Sequence, residues 1–114
     1  MYQSKITIDV TRDENKLVNK IAWNATDSSM EDEQIAKALM LSFWDNAEKS
    51  ALRIDLWTKD MMVDEMTDFL YQTMITMADT YERATKYKDL SGDMKSFAKQ
   101  WMQKFRAMQA KEAK

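Results

Sequence analysis

The sequence predicts an α+β protein: a four-stranded antiparallel sheet from two hairpins, followed by two C-terminal helices packed on one sheet face. Two periodicities and their order lead there. In several segments before residue 57 apolar residues recur at every second position, and from Asp60 onward at every third or fourth. Strands first and helices afterwards is the arrangement of an antiparallel sheet with helices to one side, not of a βαβ unit. The chain has 114 residues and no composition shift that marks a linker, which fits a single domain over 1–114.

Ile6, Ile8 and Val10 alternate with Lys5, Thr7 and Asp9, the pattern of a half-buried strand, and residues 11–15 (TRDEN) form a polar turn. Alternation resumes with Ile21, Trp23 and Ala25. Pairing Ile8 with Ile21 sets Ile6 opposite Trp23, so both apolar rows share a face. The polar, acidic stretch 27–36 reads as a loop or one short helical turn. Residues 36–45 admit two readings, a helix capped by Ser28 or Ser29 and a strand. The next segment favours the strand. Leu52, Ile54 and Leu56 alternate cleanly, and folding back over residues 46–49 sets Phe43 against Leu52, Leu41 against Ile54 and Leu39 against Leu56. Ser42 then faces Arg53 on the opposite side.

From Asp60 the stripe Val63, Met66, Leu70, Met74, Met77 and Tyr81 marks an amphipathic helix. Asp64, Glu65 and Asp68 lie early, and Arg83 and Lys86 late, the favourable sense for the helix dipole. Residues 88–92 (KDLSG) break the pattern, with Gly92 as the natural breaker. Met94, Phe97, Trp101, Phe105 and Met108 form the stripe of a second helix.

Composition excludes most chemistry. There is no cysteine and no histidine, so neither thiolate nor imidazole catalysis is available, and structural zinc sites lose their usual ligands. One glycine cannot build a phosphate-binding loop. A net charge of −2 does not suggest nucleic acid. The longest strictly aliphatic stretch, residues 38–41, is far short of a membrane span, and the N-terminus carries no signal-peptide pattern. The expectation is a cytoplasmic protein with no cofactor, and no enzyme.

What remains points to contact with other proteins. Asp60, Asp64 and Asp68 are spaced to line one helical face; the row suits a divalent cation, but a solvated face is the commoner outcome. Eight of eleven methionines lie in or just before the helices, where they fill a core or adapt to partners. Met61 and Met62, at the strand–helix junction, are the candidates for exposure. Trp44 and Trp57 lie on the sheet face opposite the Leu-rich row, beside the outward-pointing Arg53 and Asp55. If left open, that face needs a partner or a second copy of the chain. From Gly92 the tail carries six cations against Asp93 and Glu112. This is the wet face of an ordinary helix, or a contact with an anionic membrane or an acidic protein surface.

Residues 52–61 (LRIDLWTKDM), followed by Val63-Asp64-Glu65-Met66, resemble the central signature of the gliding motility protein GldC family of Bacteroidota. Residues 78–85 (ADTYERAT) match a second signature of that family, and residues 41–45 (LSFWD) a third. Met62 departs from the pattern, since a proline that starts the helix is expected there. The resemblance implies a small cytoplasmic accessory of gliding motility, helpful to movement rather than chemical in action. With the exposed residues above, the expectation is that it acts by protein–protein interaction on a partner of the gliding or envelope machinery. It brings no catalytic residues. Asp79 and Arg83, within the second signature, are spaced for an i, i+4 ion pair. Trp44, Arg53, Asp55, Trp57, Met61 and Met62 are the partner-binding candidates. Two hairpins followed by two helices also suggest, by analogy of topology alone, a holdase chaperone like the export chaperone SecB.

Overall fold

A computed structural model describes residues 1–26 and 32–112. The chain is α+β and forms two compact units, residues 1–61 and 62–114. The first contains strands β1 (Ile6–Arg12), β2 (Val18–Ala25), β3 (Gln34–Ala36), β4 (Ala38–Trp44) and β5 (Ala51–Trp57); the second contains helices α1 (Val63–Thr85) and α2 (Lys88–Glu112).

The strands do not form the single four-stranded sheet that the sequence predicts. The strands make two small antiparallel sheets, β1-β2-β3 and β4-β5. The cause lies at Lys37, where the chain bends between β3 and β4. One extended segment pairs with β2 before the bend and with β5 after it, in the manner of strands that switch sheets at a corner. Two backbone bonds hold this corner: the Thr58 N–H donates to the Lys37 carbonyl (2.7 Å) and the Lys59 N–H to the Val18 carbonyl (3.0 Å). The buried Val18, Ile21, Ala22 and Thr58 belong to the same unit. Thr58 keeps its hydroxyl satisfied by donating to Asp60 Oδ1 at 2.6 Å.

The second hairpin has the expected register, with Phe43 opposite Leu52, Leu41 opposite Ile54, Leu39 opposite Leu56 and Ser42 opposite Arg53. Residues 38–44 are therefore a strand. The first hairpin is shifted by two residues from expectation: Ile8 faces Trp23, and Ile21 faces Val10. A two-residue shift leaves every side chain on its face, so alternation alone cannot detect it. The turn decides. Asp13 Oδ1 accepts the N–H groups of Asn15 (2.8 Å) and Leu17 (3.0 Å), and the ladder bulges between Thr11 and Arg12. β3, short and paired to β2 through Ile35 opposite Ala22, was not anticipated within the polar stretch. Residues 27–31 of that stretch lie outside the described residues.

In the helical unit α1 and α2 pair through Ala78, Ser91, Ala98 and Met102, all buried. Small residues at 78, 91 and 98 let the helices approach closely. Ser91 Oγ lies 2.7 Å from Glu82 Oε1, and Lys95 Nζ lies 2.6 Å from Asp79 Oδ1. Asp79 thus pairs across the seam, not with Arg83, whose guanidinium lies 3.4 Å from the Thr80 hydroxyl. The Asp79 carboxylate raises the Lys95 pKa, chiefly by accepting the hydrogen bond from its ammonium.

Gly92 is not the helix breaker. It lies inside α2, and α1 ends at Lys86, whose left-handed backbone (φ 67°) lets its N–H reach the Glu82 carbonyl at 2.8 Å. Asp60 precedes α1, so only Asp64 and Asp68 of the acidic row are helical. Of the helical methionines, Met102 alone is buried, while Met77 and Met108 stand exposed.

Candidate protein-binding surface on the second hairpin

Strand alternation and cross-strand pairing put Ala38, Met40, Ser42 and Trp44 of β4 on one face with Ala51, Arg53, Asp55 and Trp57 of β5. Trp44 and Trp57 share that face, as the sequence suggests, but do not touch. Trp44 stands opposite Ala51 at the turn end and Trp57 opposite Ala38 at the base, about 20 Å apart along the strand. Arg53 and Asp55 occupy the space between them. Their side chains form a two-pronged pair, with Nη2 2.9 Å from Oδ1 and Nε 3.3 Å from Oδ2. The face is a row of tryptophan, ion pair and tryptophan. Both indoles are open to solvent, Trp44 at 69% and Trp57 at 57%.

The opposite face carries no charge. Leu39, Leu41, Phe43, Leu52, Ile54 and Leu56 line it, and Phe43 (55%), Leu52 (53%) and Ile54 (51%) are more than half exposed. This row was expected inside a core. A two-stranded hairpin is marginal by itself. Large side chains are therefore open on both faces of one hairpin.

The two methionines take different roles. Met61 is half-buried, and its N–H donates to the Thr58 carbonyl (3.0 Å) to close the turn after β5. Met62 is exposed and sits at the N-cap of α1. Its N–H donates to Glu65 Oε1 at 3.0 Å, a bond that proline at this position would lack.

A cleft of about 240 Å³ opens at the base of the hairpin, lined by Arg12, Lys16, Leu17, Val18, Asp55, Leu56, Trp57 and Lys59. It joins two expected residues, Asp55 and Trp57, to a basic lip that sequence reasoning missed. The lip is firmly built. The Arg12 guanidinium donates to the Lys16 carbonyl at 3.0 Å, and Lys16 takes a left-handed conformation (φ 66°). Lys59 Nζ bonds Asp13 Oδ2 at 3.0 Å. That bond, with the Leu17 and Asn15 N–H groups, holds the Asp13 carboxyl below its ordinary value. Asp60 is likewise lowered, first by the Thr58 hydroxyl. The only cue in the sequence was an apolar Leu17 set among Arg12, Lys16 and Lys20.

Among the described residues no group of acidic side chains gathers to hold a metal ion. No helix among them is long and apolar enough to cross a membrane.

The family model for gliding motility-associated GldC-like proteins matches residues 18–107. The chain belongs to the GldC-like family. The match covers β2 to β5, α1 and most of α2, and so includes Trp44, Arg53, Asp55, Trp57, Met61 and Met62. β1 and the Arg12–Leu17 side of the cleft precede the stretch that the GldC-like model matches. No curated protein and no solved structure matches the chain.

Proposed function

We propose that the protein is a non-enzymatic accessory of bacterial gliding motility that acts in the cytoplasm by binding a protein of the gliding or envelope machinery. Membership of a gliding motility-associated family supplies the process. The observation that carries the mode of action is the β4–β5 hairpin, which holds Trp44, Trp57, Phe43, Leu52 and Ile54 more than half exposed. Solvent-facing aromatic and aliphatic side chains at this density suit a protein interface, where tryptophan and arginine most often dominate the energy. Trp44, Arg53, Asp55 and Trp57 form the proposed contact row, with Met61 and Met62 as further candidates.

Gene deletion with complementation tests this reading. Colony spreading is restored by the wild type and not by a Trp44→Ala/Trp57→Ala double variant that folds normally. Restoration by both would remove the contact row from the account.

The uncharged row on the opposite face favours a second reading, a SecB-like holdase. A holdase slows aggregation of unrelated unfolded proteins at equimolar ratio, whereas a dedicated accessory leaves their aggregation unchanged.

A further inference from the structure

We propose that the cleft between the β1–β2 turn and the end of β5 binds an acidic polypeptide segment that carries an apolar anchor residue. The inference rests on the reading of the protein as a binding module and names the chemistry of one partner segment.

The charges in the lining are unequal. Asp55 is its one acid among the described residues, and its carboxylate is already held by Arg53. Lys59 is offset by Asp13. Arg12 and Lys16 have no ion pair among the described residues, so two cations stay uncompensated at the lip of the cleft. The chain as a whole is acidic, with a net charge of −2. A local positive lip on such a chain attracts acidic partners and repels basic ones.

The shape of the cleft also suits an apolar anchor. At about 240 Å³ the cleft is smaller than the usual pocket for a small metabolite and holds one or two side chains. Leu17, Leu56 and Trp57 give it apolar walls. An apolar side chain seated on Trp57 displaces water, and carboxylates on its neighbours meet Arg12 and Lys16. The turn is already fixed by the Asp13 side chain and by the Arg12 bond to the Lys16 carbonyl, so little order is lost on binding.

The test is calorimetric titration of the full-length protein at low salt with a short synthetic peptide in which glutamates flank one phenylalanine. The glutamine counterpart of that peptide and a single-stranded RNA of equal charge serve as comparisons. The acidic peptide is expected to bind at least about tenfold tighter than either, and to weaken as salt rises. Lys16→Glu and Lys49→Glu make a matched pair, since both lysines sit in hairpin turns with left-handed backbone (φ 66° and 55°). Lys16→Glu loses at least about tenfold in affinity and Lys49→Glu keeps it, with unchanged circular dichroism in both. Equal binding of the acidic and glutamine peptides, no binding, tighter binding of RNA, or equal effects of the two substitutions would overturn the inference. The wider reading is tested separately by partner capture with the Trp44/Trp57 variant. Loss of partner in that variant alongside failure of the peptide overturns the acidic-segment inference alone, and failure of both overturns both.

Discussion

Lys59 Nζ lies 3.0 Å from Asp13 Oδ2 and joins residues 46 apart in the chain. The pair clamps the β1–β2 turn to the segment that follows β5, alongside the Lys59 N–H bond to the Val18 carbonyl. It also predicts a pH dependence. The Asp13 carboxyl is held below its ordinary 3.8 first by the Lys59 ammonium, so the folded protein binds fewer protons there than the unfolded chain. Its stabilising effect is complete above the ordinary aspartate range and is lost as pH falls through the lowered value. The Tm difference between wild type and Asp13→Asn is therefore expected to be largest near neutral pH and to vanish in acid. A difference that persists unchanged at the acid end would contradict the assignment.

The positive-φ residues of the described chain are Lys16, Lys49 and Lys86, while Gly92 has ordinary helical backbone. Left-handed geometry strains a residue with a Cβ, and glycine inside a helix lacks a methyl group that alanine supplies. Lys86→Gly and Gly92→Ala are each expected to stabilise by about 0.5–1 kcal/mol in urea unfolding. A Cβ at position 92 meets nothing within 4 Å. Destabilisation by Gly92→Ala would mean that this glycine ends a helix after all.

The Met62 N–H bond to Glu65 ties the start of α1 to its first turn. Glu65→Ala is expected to cost about 1 kcal/mol. In a Met62→Pro background the donor is gone, so the same substitution should cost less. The backbone at position 62 (φ −88°) is near enough to proline's range to accept it. Equal costs in the two backgrounds, read from a double-mutant cycle, would show that Glu65 acts through other contacts.

Ile21 is 1% exposed and is the largest fully buried side chain of the strand unit. Ile21→Ala should cost about 2–5 kcal/mol, whereas Ile54→Ala, on an open face, should cost within about 1 kcal/mol. Chemical denaturation separates these outcomes, and equal costs would place Ile54 in a packed core.

Local pattern carried much of the fold. The second hairpin was legible because three apolar pairs fall into register only one way once the 46–49 turn is accepted. The first was legible as a hairpin but not in its register, since its alternation survives a two-residue slip. Only the Asp13 turn, a matter of side-chain hydrogen bonds, selects the true one. The bend at Lys37 has no glycine or proline to announce it, and it is what divides one sheet into two. Gly92 misled because composition reads a lone glycine as punctuation, while the left-handed role went to Lys86.

For the candidate site, the strand period placed Trp44, Arg53, Asp55 and Trp57 on one face but could not give their distances. The ion pair between the tryptophans follows from i, i+2 spacing and could have been read. The cleft could not, because Arg12 and Lys16 reach Trp57 only through the corner at Val18 and Lys59.

Affinity capture from lysate of the native organism, with the wild-type chain beside the Trp44→Ala/Trp57→Ala variant, shows whether the exposed hairpin row holds a dedicated partner. The wild type is expected to recover one or two components of the gliding or envelope machinery, and the folded variant to lose them. Recovery of the same components by both proteins would contradict that role for the row.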